Sequence, residues 1–238
     1  MIPSPVPWES IREEGAVLPV DKPMDWTSYQ VVRKIRSLFN VRRVGHAGTL
    51  DPKATGLLVV CTGAKTKQVP SLMSMEKEYV GAMELGIRTP SFDLETPVSE
   101  RRSFDHVTSE LIVQATAALV GEILQRPPMY SALKFEGRPL YRYARKGEEI
   151  ERPARIVVVK EFTVLSVDLP RVEFRVVCSK GTYIRSLVDD VGQRLGCGAT
   201  LVALRRTRIG ALSVDAAWTM DRLADVSREF KLAKQKAS

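Results

Sequence analysis

The chain changes its hydrophobic period abruptly between residues 171 and 196. In "VEFRVVCSK", Val172, Phe174 and Val176 alternate with Glu173 and Arg175, the period of two expected of a strand with one buried face. In "GTYIRSLVDDVGQRLG", Ile184, Leu187, Val188, Val191 and Leu195 recur at helical spacing between Gly181 and Gly196, the second glycine suiting the position after a helix C-terminus. Tyr183 and Arg185 fall in the first turn of this predicted helix. A strand with one apolar face and a helix with one apolar stripe each need cover, so a sheet flanked by helices is required.

The remaining segments extend that sheet. "GAVLPV" predicts a first strand leading into the turn "DKPMDWTS". "TSYQVVRKIRSLF" predicts a helix capped by Thr27 or Ser28, with Val31, Val32, Ile35, Leu38 and Phe39 inward and Arg33, Lys34 and Arg36 outward. "LLVVC", after Gly56, suits a strand buried on both faces. "EYVGAMELG", "RIVVVKEFTVLSV" and "TLVALRRTRIG" read as further strands. A helix starts near Thr108 and is expected to end at Gly121. Helices and strands alternate irregularly, which indicates the α+β class. One domain is expected over 1–238, with an arm at 1–14, an insertion at 124–153, and a helix and tail at 220–238.

Charge and composition narrow the function. The 36 lysines and arginines exceed the 28 acids, a formal net charge of +8, which favours a polyanionic partner. Residues 124–153, "LQRPPMYSALKFEGRPLYRYARKGEEIERP", combine basic groups and three tyrosines with little apolar periodicity, the signature of a mobile insertion. Cys61, Cys178 and Cys197 have neither zinc-ligand nor disulfide-framework spacing and read as reduced core thiols. "MIPSPVPWES" has no signal-type apolar region and the aliphatic runs are too short for a bilayer, so a soluble, cytoplasmic protein is expected. With only His46 and His106, and no GxSxG, HExxH or P-loop pattern, chemistry would depend on a carboxylate.

The candidate carboxylate is Asp51 in "GHAGTLDPKATGLL", where Gly48 and Gly56 let the backbone take positive φ and approach a ligand closely. Taken alone, an Asp-Pro here reads first as a turn-stabilising acid. His46 could stack on a base or simply pack the loop. Tyr79 could stack on a substrate ring or be a half-buried strand aromatic. Arg185, a cation at a helix start, calls for an acidic partner, either a distant carboxylate or Asp189 at i+4.

Four blocks settle these alternatives together: "GHAGTLDPKATGLLVV", "EKEYVGAMELG", "QRPPMYSALKFEGRPLYRYARKG" and "CSKGTYIRSLVDDVGQRLGCGATLVALRRTRIG". In order and separation they resemble the TruB family of tRNA pseudouridine synthases, of the bacterial type. The resemblance implies the pseudouridine synthase fold, an α+β domain around a large mixed, mostly antiparallel sheet. It implies isomerisation of the uridine conventionally numbered 55 in the tRNA T loop, with no cofactor and no metal. Asp51 matches the family's essential aspartate and Arg185 the arginine that pairs with it, a guanidinium favouring the carboxylate form. Tyr79 matches the tyrosine that stacks on the target base. Tyr183 and Leu204 match further substrate-pocket positions. His46 matches the histidine that fills space when the uridine leaves the loop.

The insertion over Gln125 to Arg152 matches a segment that closes on RNA, so Lys134, Arg138, Arg142, Arg145 and Lys146 are expected phosphate contacts, ordering as RNA binds. Arg42, Arg43 and Lys65, with Lys67 nearby, are expected to hold phosphates beside the Asp51 loop. No obligate protein partner is expected, and a monomer is the default. Three departures stand out. Asp25 replaces the usual glycine, which implies a turn with negative φ; "TPSFD" replaces "TDTxD" but keeps Asp93; and the residues after Gly210 are too few for a full C-terminal RNA-binding domain, which implies weak acceptor-stem recognition.

Overall fold

The structure, a computed structural model, describes Ile11 and residues 14–236, so the predicted arm at 1–14 lies almost wholly outside the described residues. In chain order the first elements are β1 (Val17–Lys22), α1 (Ser28–Phe39), β2 (Val44–His46), β3 (Thr55–Thr62), α2 (Val69–Ser74), β4 (Lys77–Leu85), β5 (Ile87–Arg88) and β6 (Glu100–Arg101). There follow α3 (Ser109–Ala117), β7 (Gly121–Gln125), β8 (Lys134–Phe135), β9 (Arg138–Pro139), α4 (Leu140–Ala144), β10 (Arg155–Asp168) and β11 (Arg171–Cys178). The last are α5 (Ile184–Arg194), β12 (Ala199–Ile209), β13 (Leu212–Ser213) and α6 (Met220–Lys236). Contacts group the chain into two compact units, 1–79 with 205–238, and 80–204.

In the first unit β3 pairs antiparallel with β1, from Val17 opposite Cys61 to Lys22 opposite Gly56, and with β2, His46 opposite Val60. On its other edge β3 runs parallel to β12, with Gly56 opposite Arg206. Gly56 has φ +98, and a Cβ there would lie 2.3 Å from the Arg206 carbonyl oxygen, so only glycine permits this pairing. β3 is buried from Gly56 through Thr62, as its unbroken apolar run predicts. Leu57, Val59 and Cys61 pack with Leu72, Ile209 and Val214.

α1 has the expected start. The Thr27 side chain accepts from the Gln30 N–H, and the Gln30 side chain returns to the Thr27 N–H, a reciprocal cap. Val31, Ile35 and Phe39 are fully buried, each contributing about 1.5–3 kcal/mol. Asn40, left-handed at φ 50, ends the helix by donating its N–H to the Arg36 carbonyl. The Ser227 hydroxyl donates to the Leu38 carbonyl at 2.9 Å, fastening α6 to α1.

In the second unit β11 pairs antiparallel with β10, and β10 with β7. Val172, Phe174 and Val176 are buried while Glu173 is exposed, the alternation read from sequence, and Phe174 meets Phe162 edge-to-face at 5.4 Å. α5 begins at Ile184 with Tyr183 as its N-cap, and Gly196 follows its Leu195 cap at φ 77. Antiparallel pairs predominate and helices flank the strands, so the class is α+β with mixed pairing.

Two boundaries differ from expectation. α3 stops at Ala117 rather than Gly121, because Gly121 opens β7 and pairs with Val159. That pairing takes Leu124 and Gln125 out of the predicted insertion and into the sheet. The rest carries its own elements: β8 and β9 form a hairpin whose turn residues, Glu136 and Gly137, have φ 48 and 78, as a tight two-residue hairpin turn demands.

Candidate active site

Asp51 lies in the loop between β2 and β3, and the backbone around it is tied on both sides. Arg206, 1% exposed on β12, donates from Nε to the Leu57 carbonyl at 2.7 Å, from Nη1 to Thr49 at 3.3 Å and from Nη2 to Gly48 at 3.0 Å. Ser28, the first residue of α1, accepts from the Leu50 N–H at 2.9 Å and donates to the Leu50 carbonyl at 3.1 Å. Pro52 offers its carbonyl to Lys22 Nζ at 3.2 Å and to the Asp25 N–H at 2.9 Å. The Asp51 backbone carbonyl accepts from the Ala54 N–H at 3.1 Å. A loop so fixed holds a carboxylate in one place.

Lys22 is buried, and its ammonium also donates to the carbonyls of Pro23 and Trp26. Burial pushes it down to about 8, opposed by the nearby Asp51 carboxylate. Asp25 corrects the expectation of negative φ: it stands at φ 63, the left-handed region that glycine occupies freely and aspartate tolerates. The turn geometry is therefore kept despite the replacement, and Asp25 pairs with Lys53 at 2.7 Å.

His46, at the end of β2, is held below its usual range by burial first and by the Arg206 charge second, against a hydrogen bond with the Gly48 backbone. A neutral imidazole suits packing rather than proton transfer. Tyr79, on β4, is buried. Arg42 and Arg43 are exposed just before β2, and the Arg43 carbonyl accepts from the Gly63 N–H at 2.9 Å. That bond brings in the 3-10 turn Gly63–Gln68, on which Lys65 and Lys67 are exposed.

In the second unit Arg185 is buried in the first turn of α5. Nη1 donates to the Ser91 carbonyl at 3.0 Å and Nη2 to the Tyr130 carbonyl at 2.9 Å, and Nε lies 3.5 Å from Asp93 Oδ2. Asp93 is itself fixed by the Ser91 hydroxyl at 2.7 Å and the Glu95 N–H at 2.9 Å. Ser91 in "TPSFD" thus supports the acid that the departure left in place. Asp189 is not the partner of Arg185: it pairs with Arg88 at 3.2 Å and accepts from Gln193 at 2.6 Å.

Tyr183 is anchored through its backbone, donating to Gln125 Oε1 at 2.7 Å and accepting from Gln125 Nε2 at 3.1 Å, with the Arg155 guanidinium 5.1 Å from its ring centre. Leu204 is buried on β12. Of the five cations expected in the insertion, Arg138, Arg142 and Lys146 line one cleft of about 300 Å³ with Tyr143. Arg145 turns instead to Glu95 at 3.1 Å and the Tyr141 ring, and Lys134 is exposed on β8.

Arg206, Lys22 and the role of Asp93 were missed from the sequence. The one local signal was an arginine at an inward position of an otherwise apolar-inward strand. Among the described residues no cluster of three or more histidine, cysteine or acidic side chains could hold a metal, and no helix is long and apolar enough to cross a membrane.

Residues 36–184 match the TruB family pseudouridylate synthase (N terminal domain), and residues 185–236 match the tRNA pseudouridylate synthase B C-terminal domain. The second match takes in α5 and β12 as well as α6, so the C-terminal region recognised in this chain is larger than the segment after Gly210. The tRNA pseudouridine synthase B of Parabacteroides distasonis is 44% identical over 217 residues, 89% of this chain and 92% of that protein. That of Chlorobium luteolum is 46% identical over 218 residues, 90% and 75% respectively. Among solved structures, a Cbf5-Nop10-Gar1 complex aligns at TM-score 0.73 and 32% identity over 96% of this chain. This chain spans 61% of that neighbour's length. The fold and these matches define a pseudouridylate synthase. Within that class the chain belongs to the TruB family.

Proposed function

We propose that this protein isomerises the T-loop uridine at position 55 of tRNA to pseudouridine, with Asp51 as the catalytic residue. The observation that carries the reading is the match to proteins named tRNA pseudouridine synthase B over 75–92% of their length, with the aspartate intact in a loop tied from Gly48 to Leu57. In the reaction the C1′–N1 bond breaks, the uracil turns within the site, and C1′ joins C5. The proton on C5 is lost and N1 gains one, so the product is an isomer. A carboxylate can serve by attack on the ribose or base, or by removing a sugar proton in a glycal route. The tied loop suits each of these, because each needs a fixed oxygen beside a flipped-out nucleotide.

The remaining residues take the roles their family positions give them. Arg185 pairs with the Asp51 carboxylate; its match to the family arginine supports this. Tyr79 stacks on the base, Tyr183 and Leu204 line the pocket, and His46 fills the space left by the extruded uridine. Arg138, Arg142 and Lys146, gathered on one cleft, hold RNA phosphates, joined by Lys134 and Arg145 as the insertion orders on RNA. Arg42, Arg43 and Lys65 do so beside the catalytic loop. No cofactor takes part, and the protein acts as a cytoplasmic monomer without an obligate protein partner.

The test is pseudouridine formation in a T-arm stem-loop transcript by the wild type and by Asp51→Asn, with RNA binding measured alongside. Wild-type turnover and an inactive variant that still binds are expected. Equal turnover by both would falsify Asp51 as the catalyst. Tight binding by both with no pseudouridine would instead mark an RNA-binding protein.

A further inference from the structure

From Trp26 to Met75 the sequence contains eight lysines and arginines and one acid, Asp51. Three of these cations are not explained by the catalytic loop. Arg33, Lys34 and Arg36 stand on the exposed face of α1, opposite the buried Val31, Ile35 and Phe39. α1 contains no acidic residue, whereas an ordinary solvated helix face interleaves both signs at i, i+4. α6, packed on α1 through Ser227, does mix both signs: Arg222 pairs with Glu229 two turns on, and Arg228 with Asp225 at i, i+3. None of Arg33, Lys34 or Arg36 makes an ion pair with a described residue.

The cations are also continuous. α1 starts at the Asp51 loop, through the Ser28 bonds to Leu50. Its 12 residues run about 18 Å from there. Asn40 and Val41 both donate to the Arg36 carbonyl, which keeps the chain tight as it turns into the exposed Arg42 and Arg43. The Gly63 bond to Arg43 then adds Lys65 and Lys67. Near the origin of this path Tyr29 is 65% exposed, one helical turn before Arg33 on the same face. Like charges kept together without acids repel one another and weaken the fold slightly. A bound polyanion removes that repulsion.

We propose that the exposed face of α1, from Tyr29 through Arg33, Lys34 and Arg36 and on to Lys67, is a second RNA-binding surface, separate from the insertion. It tracks the phosphate backbone leading away from the target nucleotide, and Tyr29 stacks on an exposed base or ribose. RNA is favoured over an acidic peptide because an exposed aromatic stands among the cations. That the RNA is tRNA rests on the function proposed above; the surface itself does not.

The test uses the full chain carrying Arg33→Gln, Lys34→Gln and Arg36→Gln together. Glutamine keeps helix propensity, and an unchanged melting temperature checks the fold. Binding to a whole tRNA transcript is measured in the Asp51→Asn background from 50 to 300 mM salt, and turnover in the active background. Three lost phosphate contacts should weaken binding about tenfold or more at low salt and reduce the salt slope by about 2. KM should rise and kcat stay the same. Tyr29→Ala should weaken binding about threefold with an unchanged salt slope, and Tyr29→Phe should not. If turnover proceeds while the triple variant binds like wild type at every salt, the surface is refuted and the function stands. If no pseudouridine forms but the salt-dependent loss appears, the surface stands and the function falls. Loss of binding to phosphatidylserine vesicles without loss of RNA binding would assign the face to a membrane and overturn the proposal.

Discussion

Arg206 Nη2 donates to the Gly48 carbonyl oxygen at 3.0 Å, so a buried cation on the last long strand grips the loop three residues before Asp51. The same guanidinium holds Thr49 and Leu57. Its planar fork spreads rigidly placed donors over carbonyls from Gly48 to Leu57, whereas an ammonium gathers its donors at a single point.

Replacing Arg206 by lysine should therefore leave a folded protein with a displaced loop. We expect kcat to fall about tenfold or more while KM changes less than twofold, because RNA contacts are untouched and the carboxylate is not. Arg206→Ala would take the donor from the buried Leu57 carbonyl and from the part-buried carbonyls of Gly48 and Thr49, and should lose about 1–3 kcal/mol of stability. Steady-state kinetics with a denaturant melt separates the two effects. A lysine variant with wild-type kcat would show that the grip does not position Asp51.

Arg185 is held by Asp93 and by the carbonyls of Ser91 and Tyr130. Arg185→Lys keeps the charge and loses the fork, and should lower kcat at least a hundredfold. Asp93→Asn keeps the shape and removes one charge; a smaller loss, about tenfold, is expected. The order of the two variants in single-turnover assays is the check, and the reverse order would contradict the assigned hierarchy.

Asp190 on α5 is pushed up to about 6, first by burial and then by the Asp189 charge, with Arg194 opposing. A carboxyl raised in the folded state costs stability once it ionises: nothing below pH 4, increasing from 4 to 6, and in full above 6. Asp190→Asn should therefore stabilise the protein at pH 7.5 and not at pH 3.5. The two-unit shift represents roughly 3 kcal/mol, of which about 1–2 kcal/mol is expected after allowance for partial exposure. Urea melts at the two pH values measure it, and an equal gain at both would point to packing instead.

Asp25 adopts φ 63, which costs a residue with a Cβ about 1 kcal/mol relative to glycine. Asp25→Gly relieves that strain and gives up the exposed ion pair to Lys53, worth a few tenths of a kcal/mol. A net gain of up to about 0.5 kcal/mol is expected, whereas Asp25→Val should lose more than about 1 kcal/mol because a β-branched residue resists this region. Thermal melts of the two variants should move in opposite directions.

Much of this protein is legible in short windows of sequence. The period of two in "VEFRVVCSK", the stripe of α5 and the cap at Thr27 depend on residues within a turn or a strand of one another, so local spacing carries them. The ordered blocks around Asp51 and Arg185 carried the family in the same way. Where α3 ends was not legible, because Gly121 is claimed by Val159 across the sheet. Arg206 gripping Gly48, Asp93 fixing Arg185 and Asp25 holding a left-handed turn were likewise decided by tertiary structure. Each joins groups far apart in the chain, or sets a backbone angle through bonds to such a group. Spacing along a sequence cannot encode which distant carbonyl a buried guanidinium will meet; the pairing of strands does.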